Sequence, residues 1–170
     1  MNLQQGTGFG YAAWQPVARN GTEEYDPHVK APYYGIVFVA DFIGLNSELQ
    51  ITNIDLGNDW LSAYAGYEAG QLAKYAVVNL EAWNTTYTGI RPVQSLSLEI
   101  PSTFTSVRVD KLTGPGSDAF GNITWAGTQW TYASNGLGVT VTDDSEVVEV
   151  SGGFANVSVQ ASEAILVTLL

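Results

Sequence analysis

The sequence predicts a mainly β protein: an antiparallel β-sandwich preceded by a loop-plus-helix segment. Three observations carry this. From about Leu49 onward apolar residues recur at every second position, the period of a half-buried strand. Turn-forming residues punctuate that region at short intervals with no helical pattern between them, as in a sandwich. Ahead of it, one short apolar run carries helix start and stop signals.

Taken in chain order, Gly6, Gly8, Gly10, Pro16, Gly21 and Pro27 keep the opening segment in loops. Pro32 suits a first helical turn and Gly44 a C-terminal stop. Between them Tyr33, Ile36, Val37, Phe38, Val39, Phe42 and Ile43 are apolar almost all round, so the helix must be buried on most sides. If nothing covers it, polar substitutions at Phe38 and Phe42 are expected to improve solubility. A strand around Leu61–Tyr67 turns through Glu68-Ala-Gly70. The run Ala73–Leu80 that follows is apolar on both faces at its centre, as a central strand is. Leu96, Leu98 and Ile100, then Val107 and Val109, then Val157 and Val159, then Ile165, Val167 and Leu169 alternate with other residues as half-buried strands do. Leu112–Gly116 and Asn135-Gly136 are turns.

The 170 residues suffice for one domain with a full core. Six Lys and Arg against 17 Asp and Glu leave a formal charge of −11. Such a surface repels phosphate backbones and anionic bilayers, so neither nucleic acid nor membrane is expected as a partner. No cysteine is present, which removes disulfides, thiolate nucleophiles and cysteine-based zinc sites. The sequons at Asn20, Asn84, Asn122 and Asn156 point to glycosylation of an extracellular, secreted protein. The first residues lack a signal peptide's basic and apolar regions, so a secretion signal is expected outside this chain.

Candidate chemistry is sparse. His28 is the lone histidine, and an ordinary loop residue is the simpler reading than a triad member. No metal set and no cofactor motif emerges. Asp143-Asp-Ser-Glu146 lacks the order of a calcium loop, and Gly6-x-Gly8-x-Gly10 lacks the strand and helix of a phosphate loop. Glu23, Glu24 and Asp26 cluster in a loop too pliable to hold a rigid acid/base pair. The tryptophans Trp60, Trp83, Trp125 and Trp130 read as core or domain-contact residues, whereas Trp14 lies in loop context.

Certain segments resemble glycoside hydrolase family 79. Gly6-Thr-Gly-Phe-Gly-Tyr-Ala-Ala-Trp-Gln-Pro16 and Pro32–Ala40 resemble the last βα unit of that family's (β/α)8 barrel. Tyr64–Glu68, Leu72–Leu80, Leu112–Gly116, Ile123–Gly127 and Ser162–Val167 resemble its C-terminal β-sandwich domain. The similarity covers nearly the whole chain and is greatest to the fungal β-glucuronidase-like members. It implies a retaining hydrolase that removes β-linked glucuronic acid or its 4-O-methyl form. It also implies two catalytic glutamates on earlier barrel strands, without counterparts here, so no catalytic residue is expected in this chain. A full barrel needs about 250 residues, more than the chain contains.

The expected organisation is therefore a barrel tail over 1–45 and a C-terminal β-sandwich over 46–170. The expected partners are an upstream (β/α)8 barrel of the same parent protein and, through it, a glycan substrate. By the same resemblance Gly6–Gln15 would sit at the barrel rim, with Tyr11 donating to the substrate carboxylate and Trp14 as a pocket wall; packing at the barrel–sandwich junction is the competing role for both. A free-standing carbohydrate-binding module and a purely structural sandwich are the alternatives.

Overall fold

A computed structural model describes residues 12–15, 27–45 and 47–170. The expectations placed on Gly6–Gly10, Tyr11, Asn20, Glu23, Glu24 and Asp26 lie outside the described residues. Two short strands, β1 (Trp14–Gln15) and β2 (His28–Val29), pair antiparallel. They lead into α1 (Ala31–Ile43). Pro32 sits in its first turn, and Gly44 closes it at φ 66°, donating its N–H to the Ala40 carbonyl at 2.7 Å. Both ends thus follow the sequence signals, because proline gives up only an N–H that has no helical partner and glycine adopts positive φ freely.

Eleven strands follow: β3 (Gln50–Ile54), β4 (Leu61–Glu68), β5 (Gln71–Asn79), β6 (Val93–Glu99), β7 (Ser106–Thr113), β8 (Thr124–Trp125), β9 (Thr128–Trp130), β10 (Gly138–Thr140), β11 (Ser145–Glu149), β12 (Phe154–Gln160) and β13 (Ala164–Leu169). The large sheet runs β10-β9-β8-β7-β13-β5-β4-β3, with β11 on the edge of β7 beside β8. β6 and β12 form a separate two-stranded sheet. All pairings are antiparallel. The β4–β5 hairpin turns on Ala69 and Gly70, both at positive φ (50° and 77°), as a two-residue turn between right-twisted strands requires.

The period-two pattern decides what each strand buries. Tyr75 and Val77 of β5, Val107 and Val109 of β7, and Ile165 and Val167 of β13 point to one side of the large sheet. Leu98 of β6 with Ala155, Val157 and Val159 of β12 close over them, completing the sandwich core. Ala76, Ala164 and Leu166 point the other way, where Tyr34, Phe38 and Phe42 of α1 pack on them with Trp125. From α1 onward the described residues thus form three layers: small sheet, large sheet, helix. β5 is the doubly buried central strand the sequence predicts.

One expectation is corrected here. Phe38 and Phe42 are only 6% exposed, so polar groups there would be buried without partners and would destabilise the chain. The open side of α1 is a stripe of Ile36, Val39, Ala40 and Ile43, spaced three and four apart as one helix face is.

Candidate functional site

The described residues form a cleft where the β1–β2 ribbon, the start of α1 and the β9–β10 connection meet. Two adjoining hollows, of about 430 and 520 Å³, share His28, Val29, Trp130, Thr131 and Tyr132. Trp14 and Asn135 line the first, Phe120 and Gln129 the second.

The floor of the cleft is a fixed aromatic cluster. Tyr33, Tyr34 and Trp130 meet edge to face, with ring centroids 5.8–5.9 Å apart, the arrangement that ring quadrupoles favour. The Tyr34 hydroxyl donates to the Trp130 carbonyl at 3.0 Å and accepts the Trp130 N–H at 3.1 Å, satisfying both backbone groups of one strand residue. Burial pushes the Tyr34 phenol up from its ordinary value, more than its hydrogen bond to Trp130 lowers it. The hydroxyl proton therefore stays in place at neutral pH. His28 meets Phe120 edge-on at 6.4 Å.

Tyr132 and Asn135 stand on a tied turn. The Ser134 hydroxyl donates to the carbonyls of Thr131 and Leu137 (3.0 and 2.7 Å), and the Asn135 and Gly136 N–H groups bond back to Tyr132 and Thr131. Asn135 and Gly136 both take positive φ, which suits this pair of residue types. The walls are exposed rings, Trp14 at 46% and Tyr132 at 63%.

The other sequence-predicted positions lie apart from this cleft. Asn84 is half-buried, its Oδ1 accepting the Ser117 hydroxyl at 2.6 Å. Asn122 is exposed, but its sequon Thr124 is buried and donates to Asp144 at 2.6 Å. Asn156 is exposed on the outer face of β12, and Ser97 donates to its Oδ1 at 2.6 Å. Of the Asp143–Glu146 acids, Asp144 accepts from Thr124 and Thr142, and Glu146 pairs with Lys111 at 2.9 Å. Among the described residues no three His, Cys, Asp or Glu gather as metal ligands. No helix there is long and apolar enough to cross a membrane.

Glu163 is the described carboxyl whose pKa is held up, by burial that outweighs Arg91. A raised carboxyl is what a general acid needs, but the partners of Glu163 make this one structural. Arg91 lies 3.0 Å from it and also donates to the carbonyls of Ala161 and Gly114 at 2.8 and 2.9 Å.

Of the residues lining this cleft the sequence singles out Trp14 alone as a site candidate. Trp130 reads there as a core or domain-contact residue, and the Asn135-Gly136 signal marks only a turn; the tyrosine beside that turn carries no motif.

The similarities to known proteins fit this architecture. The model of the glycosyl hydrolase family 79 C-terminal beta domain matches residues 63–166. A β-glucuronidase of Aspergillus niger is 31% identical over 181 residues, which cover 93% of this chain and 33% of that protein. A β-glucuronidase of Neurospora crassa is 28% identical, with 98% of this chain and 37% of that protein covered. The chain thus spans about a third of the length of these curated relatives. The crystal structure of a 4-O-α-L-rhamnosyl-β-D-glucuronidase from Fusarium oxysporum 12S, as its Rha-GlcA complex, superposes with a TM-score of 0.71 at 26% identity, covering 84% of this chain and 30% of that one. With the family domain matched over more than half its length, the chain belongs to glycoside hydrolase family 79, whose C-terminal β domain it carries.

Proposed function

We propose that this chain is the C-terminal accessory β-sandwich of a secreted, retaining hydrolase acting on β-linked glucuronic acid, with the catalytic glutamates on a barrel outside it. The carrying observation is that it aligns over nearly its full length with a third of two β-glucuronidases. On this reading residues 1–45 are barrel tail and 46–170 the sandwich domain. The apolar stripe of Ile36, Val39 and Ile43, 39–48% exposed, supports it: such a face suits a second body of the same protein. Tyr11 and Trp14 would contact the substrate, Tyr11 through the uronate carboxylate. Asn20, Asn84, Asn122 and Asn156 would carry glycans in the secretory route.

The test is an assay of the purified chain on an aryl β-glucuronide. No turnover is expected. Turnover that disappears on Glu23→Gln or Glu24→Gln would place the chemistry in this chain and overturn the reading.

A further inference from the structure

The aromatic cleft has a lining whose chemistry is selective. Its two hollows are bounded by Trp, Tyr, Phe, His, Thr, Asn and Gln side chains together with Val29, Pro27 and Ala133, and none of the described residues lining them is Lys, Arg, Asp or Glu. An anionic ring entering it would lose hydration and gain no cation from the described residues, within a chain that already carries a formal charge of −11. An uncharged pyranose loses nothing of that kind. Its C–H faces match exposed aromatic rings, and its hydroxyls match a few fixed amide and hydroxyl groups, the usual composition of a small-molecule site.

The geometry supplies both components. Trp14 and Tyr132 are the exposed rings, Trp130 is the anchored ring between the hollows, and Asn135 and Thr131 are the polar groups beside them. The turn bearing Tyr132 and Asn135 is already hydrogen-bonded in place, so little ordering is needed on binding. Trp14 comes from the β1–β2 ribbon and Tyr132 from the sandwich, so the site needs both.

We propose that this cleft is a binding site for uncharged pyranose rings of a glycan, distinct in its chemistry from any position that holds a uronate carboxylate. The proposal rests on the glycan-handling reading above and deepens it. It gives the sandwich a share in choosing which glycan is held, through the neutral sugars rather than through the glucuronate.

The experiment is titration of the full chain, followed by tryptophan fluorescence, with cellobiose as the neutral probe and methyl β-D-glucuronide as the anionic one. Cellobiose should give a saturable change and bind at least about tenfold more tightly than the glucuronide, a preference of about 1.4 kcal/mol. Tyr132→Ala, at a surface position that leaves the melting temperature unchanged, should weaken cellobiose by about tenfold. Asn135→Asp, which keeps a residue tolerant of positive φ, should widen the preference against the glucuronide. No saturable change with cellobiose, tighter binding of the glucuronide, or unchanged cellobiose affinity in Tyr132→Ala would each overturn the proposal. Binding is read without turnover, so its failure and that of the accessory-domain reading are separately visible.

Discussion

The two faces of the large sheet are covered in different ways. The inner face is mostly aliphatic: Val77, Val107, Val109, Ile165 and Val167, all at most 1% exposed, meet Leu98, Val157 and Val159 of the small sheet. The outer face is aromatic and partly polar. Phe38 meets Trp125 edge-on at 5.3 Å, the Trp125 indole donates to Asp41 at 2.5 Å, and Tyr34 bonds to Trp130. The inner layer is closed mainly by aliphatic packing, with two ties between the sheets: the Tyr75 hydroxyl donates to the Glu99 carbonyl at 2.6 Å and the Asn79 amide to the Val159 carbonyl at 3.2 Å. The outer layer is tied by directional contacts and opens at one end into the cleft. An interior of branched aliphatics specifies a fold; a layer of anchored rings can also present some of them to a ligand.

The largest test of this contrast is Phe38→Ala. Truncating a buried phenylalanine costs about 3–5 kcal/mol. The midpoint of urea unfolding should fall with the slope unchanged, because α1 and the sheet share the residues of one cluster. A lower slope, with amide protection lost only along α1, would make the helix a separate unit and the outer layer an appendage. Tyr34→Phe should be smaller. It leaves the Trp130 N–H and carbonyl without the hydroxyl that now serves both, at about 1–3 kcal/mol in thermal or urea unfolding.

Smaller still in stability is Ile36→Ser with Val39→Ser, on the open side of the same helix. Each exposed substitution should stay within about 0.5 kcal/mol, while self-association of the chain, followed by sedimentation, should fall. If Phe38→Ser rather than this pair gave the more soluble protein, the orientation of α1 would be wrong.

Much of this contrast was legible in the sequence. Period two marked β6, β7, β12 and β13, apolar residues on both faces marked β5, and Pro32 and Gly44 marked the ends of α1. The face that α1 buries was not legible, because seven apolar residues around one helix define no narrow stripe. The partner decided it: the small side chains Ala76 and Ala164 leave room on the sheet for Tyr34, Phe38 and Phe42. The cleft was half legible. Trp14 stood out because the flanking glycines and prolines read as loop, although the structure puts it in β1, whereas Tyr132 and Trp130 reach it through a long-range fold that no local pattern encodes.

The smallest effect concerns the Arg91–Glu163 pair, where the chain passes between the layers: Arg91 just precedes β6 and Glu163 just precedes β13. Burial raises the Glu163 pKa, and the attraction of Arg91 offsets this only in part. A carboxyl whose folded pKa lies above its unfolded value contributes stability that is complete below the unfolded value and is lost as pH rises through the folded one. Ionised Glu163 therefore weakens the fold relative to its protonated form, despite the 3.0 Å contact. Glutamine imitates the protonated form and does not titrate. The stability difference between the wild type and Glu163→Gln should thus shift in favour of the wild type as pH falls from neutral toward the ordinary glutamate value, and comparing the two proteins cancels the other 16 acidic residues. Urea unfolding of both at several pH values measures it. A difference that moves against the wild type on acidification would mean that Arg91 outweighs burial, and the crossing between the layers would then be held by charge rather than by packing.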